Sequence, residues 1–369
     1  MPIDRRFFSH FDYGLFGITF VLFVIGVINL YSASSIRLEE GVKIISFYKK
    51  QLVWGMIGIL SFFIFLIVDY RKLKQATLFL YILSVVLLII VLLIGDKSGG
   101  ATRWLNFGLF KFQPTELVKL SIILWVSNYL SELNHVINIK DVFKILVVVA
   151  IPVILIIKQP DLGSGLTILL LVGGMMLFFG IDKKIIICIL ILTPIILPVI
   201  WNHMHDYQKD RIRVLLHPEK YKTKQGYNII QSKIAVGSGR FWGKGFLKGT
   251  QSQLKFLPEK HTDFIFAVFA EEWGFVGSVF LISLYSLFLY RIVKVVEYSK
   301  DLFGAYIAVG VFFYFFLQIF INICMVLGVL PVVGIPLPFM SYGGSALIVN
   351  FSLIGLVANV SMRRFIFKE

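Results

Sequence analysis

Long apolar runs punctuated by lysine and arginine constrain this chain more than any other feature. They fall near residues 13–33, 50–68, 75–95, 115–131, 142–157, 164–181, 184–201, 263–290, 303–330 and 340–361. A helix needs about 20 mainly apolar residues to cross about 30 Å of hydrocarbon. A soluble fold keeps much of its sequence polar to face water, whereas 58% of these 369 residues are hydrophobic and 36 are Phe. The expected fold is an all-α polytopic membrane protein, with about ten transmembrane helices in one bundle. One domain is expected over residues 1–369, with a large extracytoplasmic loop at 202–262 between spans seven and eight.

The first run, Tyr13 to Ala33, follows Arg5 and Arg6 as a secretory signal would. It exceeds the roughly 7–15 apolar residues of a signal core, so an uncleaved first span is expected. Cys188 and Cys324 both sit in apolar runs, which suits small buried residues better than a disulfide framework.

Orientation follows from the short loops. With the N-terminus inside, the cytoplasm receives Arg5/Arg6, Arg71/Lys72/Lys74, Lys140/Lys144, Lys183/Lys184, Arg291/Lys294/Lys300 and Arg363/Arg364/Lys368, as the positive-inside rule requires. The basic 202–262 stretch disagrees, but loops of about 60 residues translocate largely regardless of charge. Both termini are therefore expected in the cytoplasm and the basic loop outside. A net charge of +15 displayed there has no nucleic acid to meet, and no DNA-reading motif is present. Clustered Arg and Lys suit an anionic headgroup or a diphosphate.

Two stretches mimic familiar sites. "GSGRFWGKG" (237–245) fails the P-loop spacing, since Ser238 stands where the first Gly would be and Gly245 where Ser or Thr would. "HMHDY" (203–207) falls short of the three or four ligands a fixed metal site needs. More informative is "FQPTELVKLSIILW" (112–125), which places Glu116 and Lys119 three residues apart on one helix face. Ionisable residues inside a span are costly and point to function; a structural ion pair is the alternative. Arg103 and Trp104 in "ATRWLNFG", Asp161 in "KQPDLGSG", and Asp263 beside Glu259 and His261 in "PEKHTDFIF" are expected on the same outer side. Acids and bases thus converge from distant parts of the chain, as a carboxylate base acting with an anionic leaving group would need.

These stretches together resemble the SEDS family. The likeness runs nearly end to end, through "IDRRFFSHFDY" (3–13), "NLYSAS" (29–34), "RWLNFG", "QPTELVK", "KQPDLGSGLTILL", "YQKDRIRVLL", "GYNIIQSKIAVGSG", "GKGFLKGTQSQLKFLPEKHTDFIFAVFAEEWGFVGS" and "GVLPVVGIPLPFMSYGGSALIVN". "IDRR…HFDY" and "GIPLPF" favour its elongation branch over its division branch. Thr102, Arg240 and Ala346 depart from the family's usual Arg, Gly and Ser.

The resemblance implies a ten-helix fold in the bacterial inner membrane and glycosyl transfer on lipid II, the undecaprenyl-diphosphate disaccharide-pentapeptide. It implies Asp263 as the catalytic residue, here expected to act as general base on the acceptor hydroxyl. Candidate substrate-binding residues are Arg103, Trp104, Glu116, Lys119, Asp161, Arg211, Lys233, Lys244, Glu259 and His261. It also implies a class B penicillin-binding protein docked near spans eight and nine, and other membrane proteins of the elongation complex. No cofactor is assigned, and a divalent cation, Mg²⁺ or Mn²⁺, stays open. A lipid II flippase and a non-catalytic scaffold remain as alternatives, since transporters also carry charges within a bundle.

Overall fold

The computed structural model describes residues 11–365 apart from 39–40, 45–46, 99–100, 107, 109–110, 205, 218–219, 221–224 and 255. Arg5, Arg6, His205 and Lys368 lie outside the described residues. The chain is mostly helical. Long helices run through α1 (Tyr13–Ser34), α2 (Phe47–Ile67), α3 (Tyr70–Ile94), α4 (Pro114–Glu132), α5 (Ile139–Lys158), α6 (Leu162–Phe179) and α7 (Lys183–His203). Shorter helices follow as α8 (Asp206–Leu216), α9 (Gln225–Ser238) and α10 (Thr250–Gln253). The chain ends in α11 (Ile265–Tyr298), α12 (Leu302–Val326) and α13 (Gly344–Met362).

Among the described residues, α1, α2, α3, α6, α11, α12 and α13 are seven helices long and apolar enough to cross a membrane. The protein is a multi-pass membrane protein. Helices α4, α5 and α7 fall on the remaining expected apolar runs. Buried polar residues such as Thr115, Glu116, Lys119, Ser121 and Ser127 dilute α4, and Lys140, Asp141, Lys144 and Lys158 do the same to α5.

Two local structures differ from the sequence expectation. The 202–262 stretch is not a plain loop, because it carries α8, α9 and α10. Short antiparallel strands also form: β1 (Ser35–Leu38) with β2 (Gly41–Ile44), and β4 (Ala101–Asn106) between β3 (Asp96–Ser98) and β5 (Lys111–Phe112). Strand β4 carries Arg103 and Trp104.

Helix α11 is bent where Gly274 takes φ 65°, in the left-handed region that favours glycine. There it meets the 240–245 turn: Phe275 N–H donates to Arg240 O at 2.9 Å, and Gly245 N–H to Glu272 O at 3.0 Å. Arg240 itself has φ 50°, which accounts physically for glycine being the family's usual residue at that position.

Helix α13 is the core of the bundle, with 89% of its most apolar window buried. Gly355 lets α13 approach α2 so closely that a Cβ there would sit 2.4 Å from the Phe62 carbonyl oxygen. Small residues on α12 serve the same internal purpose. Gly304, Ala308 and Gly310 are buried, and a Cβ on Gly310 would meet Ile123 and Met175. They pack within the bundle and present no face to a partner helix.

One end of the bundle is stitched by charges. Arg291 pairs with Asp12 at 3.5 Å, Arg71 with Asp301 at 3.5 Å, Arg363 with Asp69 at 3.2 Å and Lys74 with Glu132 at 3.2 Å. Tyr70 Oη also donates to Asp301.

Gly355→Ala should lower the melting temperature in detergent, because overpacking a close contact costs about 1–3 kcal/mol. Gly17→Ala, with nothing within 4 Å of the added carbon, should leave it unchanged or slightly higher. Equal melting of both variants would contradict the tight α2–α13 crossing.

Candidate active site

The end of the bundle opposite those ion pairs contains irregular backbone. A turn at 258–264 leads into α11, and an extended segment from Pro331 to Leu337 joins α12 to α13. Such backbone has donors and acceptors that no helix satisfies. Buried side chains supply the partners. Asn322 Nδ2, on α12, donates to Asp263 O at 2.9 Å and to Ile335 O at 2.8 Å. Ser341 Oγ donates to Thr262 O at 2.6 Å and accepts from Leu337 N–H at 2.8 Å. Gln51, from α2, donates to Ser341 O at 3.1 Å. Asn29, from α1, donates to Ile265 O at 3.0 Å. Helices α1, α2 and α12, with Ser341 just ahead of α13, thus hold the turn that presents Asp263.

The Asp263 carboxylate lies near Gly334, whose φ of 75° brings the extended segment past it; a Cβ there would sit 3.5 Å from Asp263 Oδ2. Burial pushes the Asp263 carboxyl up to about 6 from 3.8, Glu259 and Asp161 add to the rise, and Arg103 and Arg211 oppose it. The structure therefore gathers Arg103, Asp161, Arg211, Glu259 and Asp263 from four separate stretches. Arg103 lies 3.9 Å from Asp161 and donates to the carbonyls of Gln159 and Pro160. Asp161 caps α6, accepting from Ser164 N–H at 3.2 Å and Ser164 Oγ at 2.8 Å. Glu259 accepts from Thr262 Oγ1 at 3.2 Å.

A cavity of about 670 Å³ opens beside this turn, lined by Trp104, His261, Thr262, Tyr342, Lys50 and Lys111 among others. The His261 ring stacks on Phe47 at 4.5 Å. Burial lowers its pKa, with Glu259 opposing and Lys260 assisting. The wall is aromatic and cationic at once.

Four expected residues lie elsewhere. Lys244 pairs with the fully buried Glu271 at 2.7 Å, and Glu271 also accepts from the N–H groups of Gln251 and Ser252. Lys233 lies against Gly328, beyond the end of α12. Glu116 and Lys119 form a buried pair at 2.6 Å in α4. Tyr314 Oη is within hydrogen-bond reach of Glu116 at 3.3 Å and of Asn350 at 2.8 Å. Sequence reasoning passed over Gln51, Asn322, Glu271 and Glu272, although polar residues inside apolar helices were a signal of the same kind as Glu116. Among the described residues, no group of three or more His, Cys, Asp or Glu is placed to hold a metal ion.

Comparison with known proteins identifies the family. Residues 13–365 match the family described as "Cell cycle protein", that of FtsW, RodA and SpoVE. The chain belongs to the SEDS family. The peptidoglycan glycosyltransferase MrdB of Escherichia coli K12 is 44% identical over 289 residues, 78% of each chain. That of Helicobacter pylori J99 is 34% identical over 380 residues, all of this chain and 94% of the relative. A solved structure described as "Structural coordination of polymerization and crosslinking by a peptidoglycan synthase complex" superposes with a TM-score of 0.83 at 28% identity, over 97% of this chain and 99% of the other. The rod shape determining protein RodA of Thermus thermophilus gives 0.72 at 27% identity, over 96% and 98%. The SEDS fold thus accounts for nearly the whole chain.

The Glu116–Lys119 pair generates its own prediction. Removing one partner of a buried pair strands a charge and costs about 3–5 kcal/mol, whereas removing both is much milder. Glu116→Gln and Lys119→Met should each lower the melting temperature more than the double variant does. Simple additivity would show that the two groups act separately.

Proposed function

We propose that the chain is a peptidoglycan glycosyltransferase that polymerises lipid II, with Asp263 as the general base. The observation that carries this reading is the placement of the Asp263 carboxylate among arginines, beside a cavity walled by aromatic rings and lysines. Asp263 takes the proton from the acceptor sugar's 4-hydroxyl. That oxygen bonds to the anomeric carbon of the other glycan, and the bond from that carbon to the lipid diphosphate breaks. Arg103 and Arg211 offset charge on the leaving diphosphate, since charge-assisted contacts in a water-poor site are strong. Trp104 and His261 present ring faces to the sugar. Glu259 and Asp161 keep the base from becoming too weakly basic, because each raises its pKa.

In this reading α4, α5 and α7 complete a ten-span bundle in the bacterial inner membrane. Both termini lie in the cytoplasm and Asp263 faces outward. Glu116 and Lys119 brace the bundle below the site. A class B penicillin-binding protein docks on the outward faces of α11 and α12, where Phe275, Phe280, Phe316 and Phe320 are exposed. Family resemblance and the synthase-complex neighbour support that partner.

Detergent-solubilised protein, with no bilayer to cross, should convert labelled lipid II to polymer, an outcome that separates a polymerase from a transporter. Asp263→Asn should lower turnover by about 10²–10⁴-fold, the usual cost of losing a general base. Polymerisation by Asp263→Asn within a few-fold of wild type would overturn the assignment.

The base is active when deprotonated, so wild-type turnover should fall as pH drops through about 6. Stability should move oppositely. A carboxyl whose folded value of about 6 exceeds its ordinary value of 3.8 stabilises the fold fully below the lower value, and that contribution is lost as pH rises through the higher one. Asp263→Asn should therefore melt no lower than wild type at pH 8, and a clearly lower melting temperature would show that ionised Asp263 braces the fold.

A further inference from the structure

A second cavity, of about 360 Å³, lies between the start of α1 and the ends of α11 and α13, where Asp12, Gly14, Arg291, Lys294, Tyr298 and Arg364 line it. Arg291 is 16 residues beyond Phe275, the first residue after the bend in α11, roughly 24 Å at 1.5 Å per residue, so this cavity is remote from Asp263. We infer that it binds the phosphodiester headgroup of an anionic membrane lipid. The inference does not rest on the proposed polymerase activity, nor on which leaflet this end faces.

Charge is the first reason. Arg291 and Lys294, among the lining residues, face one carboxylate, Asp12. That carboxylate is already engaged, since its Oδ1 accepts from Leu15 N–H at 2.9 Å to cap α1 and lies 3.5 Å from Arg291 Nη1. One carboxylate cannot neutralise both cations, and a singly charged phosphodiester supplies the deficit with oxygen acceptors.

Construction of the site is the second reason. Arg291 folds its guanidinium flat against the backbone of Gly14, where a Cβ would come within 2.7 Å of Cζ. A side chain at position 14 would occupy the place the guanidinium takes. The cation is thus held at the cavity wall instead of extending into water. Lys294 and Arg364 are held by rings, 4.8 Å from the Tyr290 centroid and 5.3 Å from that of Tyr298.

Depth is the third reason, and it selects a lipid over free phosphate. Tyr13, Tyr290 and Tyr298 around the cavity are 67%, 52% and 53% exposed. Half-exposed tyrosines at the ends of spanning helices mark the headgroup level of a bilayer. A cationic pocket between helix ends at that depth meets lipid phosphodiesters first.

Native mass spectrometry of the full-length protein in detergent tests this, with dioleoyl phosphatidylglycerol, dioleoyl phosphatidylcholine or inorganic phosphate as the probe. Phosphatidylglycerol should bind in preference to phosphatidylcholine. Lys294→Gln should weaken it about fivefold, the effect of one cation near a membrane surface. Gly14→Ala changes no charge but displaces the Arg291 guanidinium, and it should weaken binding as well. Lys144→Gln, an exposed lysine on α5, should have no effect. Equal binding of the two lipids would overturn the inference. So would Gly14→Ala and Lys294→Gln variants that bind like Lys144→Gln, with all three eluting as folded monodisperse protein. Displacement of phosphatidylglycerol by inorganic phosphate at equal concentration would assign the cavity to the free ion and overturn its lipid reading.

Discussion

The Asn322 amide is the contact on which the rest of the outer end depends. One nitrogen donates to the carbonyls of both Asp263 and Ile335, and so joins two stretches of irregular backbone across the end of α12. Unpaired backbone groups away from water are costly, and in a membrane protein nothing else nearby satisfies them. Ser341 and Gln51 extend the same clamp to α2. The turn bearing the carboxylate is therefore placed by main-chain atoms, with the carboxylate itself left for electrostatics and substrate.

That division explains the charge environment. A carboxylate used as a structural acceptor is occupied by its donors, as Glu271 is by Lys244 and two backbone N–H groups. Asp263 has its burial offset only by arginines acting without direct contact, and it stays basic. Two acids eight residues apart thus have opposite environments. One organises the 244–253 stretch, and the other lies buried near arginines without an ion pair holding it.

Much of this was legible in the residues. Apolar run length located the helices, and intramembrane charge singled out Glu116 and Lys119, which the structure pairs. Asp263, Arg103, Asp161, Arg211 and Glu259 were named from family motifs, and the structure brings them near one another. The clamp was not legible, since Gln51 and Ser341 are 290 residues apart and a lone amide in an apolar helix names no partner. The strands were missed because β4 reads Ala-Thr-Arg-Trp-Leu-Asn, with no alternation of polar and apolar residues to announce it. The small residues of α12 mark another limit: composition shows that a helix can be approached closely, but not whether the neighbour is inside the bundle or outside it.

The charged stitching at the far end bears on how this bundle moves. A carrier works by alternating access, opening first one end of its central path and then the other. Opening here would require Arg291 to leave Asp12, Arg71 and Tyr70 to leave Asp301, and Arg363 to leave Asp69. Those contacts tie α1 to α11, α3 to α12 and the end of α13 to the start of α3, so parting any one helix strains its neighbours. The other end is closed by turns and short strands, pinned by single side chains and not by paired charges between helices. The architecture is that of a vessel with a riveted floor, which works against any cycle that must open there.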